Sequence, residues 1–100
     1  MNQINQETKK KLLFLQQDEI NSYHTYNRLA DRLKDESNAE TMHEIAVQEL
    51  KHYQTWKEYT GTDLKPKMGK VRFYTFLSRV LGITFGVKLM EKGEEAAQKA

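Results

Sequence analysis

Residues 47–52 read Val47-Gln48-Glu49-Leu50-Lys51-His52, and the last four of them decide how the rest of the chain is interpreted. On an α-helix, residues three apart share a face, so Glu49 and His52 direct a carboxylate and an imidazole toward the same point. Glu19, thirty residues earlier, offers a second carboxylate. If the helix of Glu19 runs antiparallel to the helix of Glu49 and His52, the three side chains meet. They then form half of a two-metal carboxylate site, of the kind that four-helix bundles hold in their interior.

Composition limits the chain to one domain and excludes several functions. One hundred residues with 38% apolar content allow a modest core, and we assign 1–100 to one domain. A net charge of +2 with scattered basic residues predicts no nucleic-acid partner. The absence of cysteine rules out disulfides and thiol chemistry. The most apolar window, 71–90, contains Arg72, Arg79 and Lys88, so we do not expect it to span a membrane.

The periodicity predicts an all-α fold with three helices per chain. Apolar residues recur at helical spacing over about 6–34, over about 38–60 and from about 70 toward the end. Ser37, followed three residues later by a glutamate, predicts a capping box at the start of the second helix, and Gly61 predicts its C-terminal cap. Gly82 and Gly86 indicate close helix packing or a break in the third helix.

Ligand-type residues interrupt the apolar stripe of each helix. Glu19 falls in the middle of the first stripe, and Glu49 and His52 fall in the middle of the second. An unpaired carboxylate in a core costs several kcal/mol, so their positions favour a site, although Glu19 could instead lie at the edge of its stripe beside a lysine. Glu94 ends the third stripe and is a fourth candidate ligand, with Glu91 one turn before it as the alternative. A solvated last turn would explain both of these glutamates equally well.

A second Glu-x-x-His provides an internal control. Glu40-Thr41-Met42-His43 precedes the first motif by nine residues, which is half a turn out of phase at 100° per residue. We therefore expect Glu40 and His43 to point away from the core, with a structural role only.

Two stretches carry a resemblance to a known family. Asp18-Glu19-Ile20-Asn21-Ser22-Tyr23, with residues 47–52, resembles the first half of a rubrerythrin-type ferritin-like di-iron domain. Residues 84–95, Thr-Phe-Gly-Val-Lys-Leu-Met-Glu-Lys-Gly-Glu-Glu, resemble the next segment of the ferritin-like domains fused to vacuolar-iron-transporter-type membrane proteins. The half-site is also similar to that of the encapsulated ferritins, which are short chains completed by dimerisation.

The resemblance implies a fold, a metal and a reaction. It implies a ferritin-like helical bundle in which Glu19, Glu49 and His52 bind one side of a two-iron centre, with Glu94 as the ligand of the third helix. Carboxylates with imidazole also suit manganese. The implied activity is oxidation of iron(II), for storage, detoxification or delivery to a membrane transporter. It also implies a cytoplasmic location, or the cytoplasmic side of a membrane protein, with a transporter domain or an encapsulating shell as a partner.

The chain departs from this family by ending before a fourth helix with a second Glu-x-x-His. We expect a homodimer or higher homo-oligomer that completes the bundle, or a native protein that continues past Ala100. Two alternatives from other classes stay open. The polar cluster could fix helix register in a non-catalytic interaction domain, or the domain could sense metal without turnover.

Overall fold

The computed structural model describes the backbone of residues 5–99, and the side chains of those residues except Phe85 and 93–99. This part of the chain is helical and contains no strand, which confirms the all-α class. The four helices are α1 (Gln6–Ala30), α2 (Glu36–Thr60), α3 (Met68–Leu81) and α4 (Ile83–Lys99).

Helices α1 and α2 form an antiparallel pair. Gln16 in the first half of α1 hydrogen-bonds Thr60 at the end of α2, and Asn27 near the end of α1 hydrogen-bonds His43 in the first half of α2. Helices α3 and α4 also lie on α1, so α1 is the central element. Tyr26 connects α1 to both α2 and α4, because it packs in one buried cluster with residues of these two helices.

The N-terminus of α2 differs from the prediction. The cap is Asp35, whose carboxylate accepts hydrogen bonds from the backbone N–H groups of Ser37 (2.9 Å) and Asn38 (3.2 Å). Because aspartate is as good a cap as serine, the earlier residue starts the helix at Glu36, and the predicted capping box is wrong. The predicted cap at Gly61 is confirmed. Gly61 has φ +63° and donates its N–H to Lys57 O at 2.8 Å.

The prediction of three helices per chain is wrong, because the third predicted helix is two helices. Gly82 separates α3 from α4 with φ +100°, a conformation that favours glycine and ends a right-handed helix. Gly86 then allows a close approach between the two helices, since a Cβ built there would lie 2.9 Å from Ser78 Cα. Both predicted roles of the two glycines therefore occur: Gly82 breaks the helix, and Gly86 allows close packing.

Helix α3 presents its large apolar residues to solvent, contrary to the predicted core stripe. Its buried side is small and polar apart from one valine and consists of Val71, Thr75 and Ser78. Phe73 and Phe76 belong to the apolar stripe of the third predicted helix, but they are 53% and 59% exposed. Small residues let α3 approach its neighbours closely, which turns the bulky side outward.

The segment between α2 and α3 is fastened to α1 by Gln16 and to α2 by Tyr53. Gln16 is fully buried, donates to Thr62 O at 2.7 Å and accepts from the Thr60 hydroxyl at 2.7 Å. Tyr53 OH donates to Asp63 Oδ1 at 2.5 Å and accepts from the backbone N–H of Leu64 at 2.8 Å. These bonds fix the end of the α1–α2 pair one turn from Glu19.

Gln16→Leu is expected to destabilise the fold by about 2 kcal/mol, because it leaves the Thr60 hydroxyl and the Thr62 carbonyl without this partner in a buried place. Gln17→Leu is the matched control. The Gln17 amide donates to Lys65 O at 2.9 Å in an exposed setting and to Asn21 Oδ1 at 3.1 Å in a half-buried one, so its loss should cost about 1 kcal/mol. Urea denaturation of both variants measures the difference. Equal midpoints would contradict the buried role of Gln16.

The molecule is open for its size. Its accessible surface is 7064 Å², against about 5,900 Å² expected for a compact monomer of this mass. Its long axis is 46 Å against 23 and 20 Å across. Within residues 5–99, no helix is both long and apolar enough to cross a bilayer, as predicted for the 71–90 window.

Candidate metal centre

Three predicted ligands converge between α1 and α2. Glu19 Oε2 lies 3.4 Å from His52 Nδ1, and Glu49 Oε1 lies 3.7 Å from the same nitrogen. One ligand atom from each residue lies within 4.8 Å of the other two. Glu49 and His52 meet because they are one helical turn apart, and Glu19 joins them because antiparallel pairing brings the middle of α1 to the middle of α2.

Burial differs among the three side chains. The carboxylates of Glu19 and Glu49 are only 11% and 16% exposed, whereas the His52 imidazole is 56% exposed. The cluster is therefore closed on the protein side and open at the histidine. Trp56 and Tyr59 follow His52 by one and two turns on the same side of α2, and Tyr59 is 46% exposed.

The donor spacing fits a cation. Donor atoms about 2.1 Å from one metal ion lie roughly 3–4 Å from each other, which includes both measured separations. Two carboxylate oxygens and one imidazole nitrogen, without a thiolate, are the donor set that iron, manganese and zinc accept. The residues therefore fit a divalent transition metal, and within the described residues this is the one such group.

The same geometry also permits an ion pair. A protonated His52 between Glu19 and Glu49 would form two charge-assisted contacts of the lengths seen. Such a pair would hold α1 and α2 in register without any metal. The distances alone therefore define a cluster with two possible uses.

The second Glu-x-x-His lies apart from this cluster. Glu40 and His43 are exposed, and neither belongs to the metal group found in the described residues. His43 instead contacts the end of α1, with Nδ1 2.9 Å from Asn27 Oδ1 and Nε2 3.7 Å from Asp31 Oδ1. The predicted orientation of this copy away from the core is confirmed, and it adds a contact between the two helices.

The structure describes the side chain of only one of the two candidate glutamates of α4. Glu91 Oε2 accepts a hydrogen bond from Tyr26 OH at 2.9 Å and is not part of the three-residue group. The side chain of Glu94 lies outside the described residues, so its role as a ligand stays a prediction. Met90 Sδ lies 3.9 Å from Ser22 Oγ, which fixes α4 against α1 one turn before Glu94.

A second polar site lies between α1 and α3 and was not predicted. A cavity of about 90 Å³ is bordered by Asp18, Asn21 and Lys70, among others. Burial raises the pKa of the Asp18 carboxyl, against the opposing charges of Lys70 and Lys67. With one carboxylate and no imidazole, this cavity offers a poorer metal donor set than the Glu19–Glu49–His52 cluster. The helical spacing of Asp18 and Asn21 was the sequence signal for this site. The sequence does not show that α3 packs against these two residues.

Comparisons with known proteins identify no relative. No protein-family model matches the chain, and neither a curated protein nor a solved structure does.

Proposed function

We propose that this chain is a ferritin-like domain that binds iron(II) at Glu19, Glu49 and His52 and oxidises it at a two-metal site completed by a second copy. The convergence of these three side chains carries the proposal. Their ligand atoms lie within 4.8 Å of one another, and the sequence positions them at the centre of the paired helices. The resemblance of these segments to rubrerythrin-type domains gives the expected chemistry.

The second copy follows from the incomplete ligand set. Three ligands per chain can hold one metal ion but are too few for a two-metal site, whereas a twofold pair of chains supplies six. Two observations support such pairing. The His52 side chain opens to solvent, and the molecule exposes roughly 1,200 Å² more surface than the expected value above for a compact monomer. Glu94 is the proposed additional ligand.

Each residue has a distinct part in the proposed site. The buried carboxylates of Glu19 and Glu49 would neutralise the cation and favour the higher charge of iron(III) over iron(II). The exposed His52 would supply a neutral nitrogen at the entrance. Each iron(II) gives up one electron, and dioxygen or peroxide accepts it. Manganese would occupy the same donors.

The experiment is an anaerobic iron(II) titration of the full chain by calorimetry, with the mass in solution measured alongside. We expect one iron(II) per chain and a dimer or a larger even assembly. Admission of air should then produce a near-ultraviolet ferric absorbance, which zinc added in equal amount should prevent. A folded protein that binds no iron(II) would refute the proposal. Binding without oxidation would replace it with metal sensing.

The competing function is a metal-free polar cluster that fixes the register of α1 and α2. The ion-pair distances from His52 to Glu19 and Glu49 favour it. In that case Glu49→Gln should lower the stability of the metal-free protein, and iron(II) should not raise its melting temperature. If the site binds metal, iron(II) should raise the melting temperature of the wild type by an amount that grows with its concentration.

A further inference from the structure

We propose that the outward side of α3 binds the surface of an anionic lipid bilayer. We call this side the α3 face and define it by Phe73, Phe76 and Val80. The inference is independent of the metal site, because its residues lie on α3, which contributes no ligand to the Glu19–Glu49–His52 cluster.

The α3 face is apolar and uncovered. Phe73, Phe76 and Val80 are 53%, 59% and 62% exposed, and their spacing of three and four residues places them on one side of the helix. That side is opposite to the buried Val71 and Thr75. Two phenylalanines and a valine on one exposed helical stripe form a contiguous patch, which marks an interaction surface rather than scattered apolar residues.

Positive charge borders the α3 face. Arg72 and Arg79 lie two turns apart along one edge of it, both exposed, and neither forms an ion pair with the described residues. Residues 64–90 contain no aspartate or glutamate and hold six of the 16 basic residues: Lys65, Lys67, Lys70, Arg72, Arg79 and Lys88. The rest of the chain is therefore net negative, and the charge separation would turn α3 toward an anionic surface.

An anionic membrane fits both properties, whereas a second copy does not. Self-pairing of two α3 faces would bring cationic edges together, because α3 has no acidic residue to oppose them. The outer side of α2 has the complementary charge in Glu40 and Glu44, but Val47 is the apolar residue exposed beside them, so it cannot cover two phenylalanines. Phospholipid provides headgroup charge for the arginines and acyl chains for the rings. Since no described helix can span a bilayer, the binding is peripheral.

The experiment is co-sedimentation of the full chain with vesicles of phosphatidylcholine containing about 30% phosphatidylserine, a composition chosen for its anionic surface. We expect binding at 0.1 M salt that falls at least tenfold at 0.5 M, where the electrostatic attraction is screened. Arg72→Gln with Arg79→Gln should weaken binding about tenfold or more. Phe73→Ser with Phe76→Ser should weaken it to a similar extent. Val47→Ser, an exposed valine on α2, is the matched control and should change nothing.

Three results would overturn the inference. The first is no sedimentation with anionic vesicles, or equal sedimentation with pure phosphatidylcholine. The second is an oligomer that the Phe73→Ser and Phe76→Ser changes convert to monomer, which would assign the α3 face to a second copy. The third is binding to polyglutamate that survives those changes while vesicles are not bound, which would indicate an acidic protein partner. Circular dichroism controls for folding, and the arginine variant retains every apolar residue.

Discussion

Replacing Glu49 and His52 together with alanine is expected to abolish tight iron(II) binding and the ferric absorbance that follows exposure to air. Loss of an outer-shell partner already costs roughly 10–100-fold in metal affinity, and this change removes two of the three ligands themselves. The helix should remain intact, because alanine is the best helix former and the His52 side chain is more than half exposed.

The chain contains its own control for this change. Glu40→Ala with His43→Ala removes the same residue types, at the same spacing, from the same helix, but outside the cluster. We expect its iron(II) affinity and oxidation rate to stay within twofold of the wild type, with a small loss of stability from the His43 contact to Asn27. Equal effects of the two double substitutions would show that iron binds nonspecifically, and would contradict the assigned site.

Gly86→Val is expected to destabilise the protein by about 3 kcal/mol or to separate α4 from α3. A Cβ at this position would lie 2.9 Å from the Cα of Ser78, a backbone atom that cannot rotate away. Inserting atoms into such a contact typically costs 1–3 kcal/mol, and valine brings two methyl groups beyond the Cβ. Thermal denaturation followed by circular dichroism measures the loss.

Gly69→Val is the matched control for this substitution. Gly69 is also a helical glycine, but no heavy atom lies within 4 Å of the position its Cβ would take. Valine there should change stability by no more than about 0.5 kcal/mol, in the direction of a gain from helix propensity. If Gly86→Val is tolerated as well as Gly69→Val, the close approach of α3 and α4 does not exist in solution.

The cluster could be predicted from the sequence because its geometry is mostly local. Glu49 and His52 share a helix, so the helical repeat alone fixes their relation. Glu19 required one further assumption, antiparallel pairing of consecutive helices, which a short connection favours. The same reasoning separated the first Glu-x-x-His from the second, since a nine-residue offset reverses the direction on a helix. The metal and its reaction do not follow from this geometry.

The α3–α4 region could not be predicted from periodicity. The spacing of Phe73, Phe76 and Val80 identifies a helical stripe but not the direction it faces, and burial of bulky residues was the natural expectation. The direction depends instead on the close approach of Ser78 and Gly86, a contact between separate elements. The break at Gly82 depends on a backbone angle that glycine permits but does not require.

The unequal burial of the cluster has a consequence for exchange with the surroundings. The two carboxylates are enclosed, while the imidazole edge faces solvent. Any cation, oxidant or proton that reaches Glu19 or Glu49 from that side must therefore pass His52. In such an arrangement His52 is both a ligand and the residue at the entrance of the site. The rates at which a cation enters and leaves, and the affinity for that cation, would therefore all depend on this one side chain.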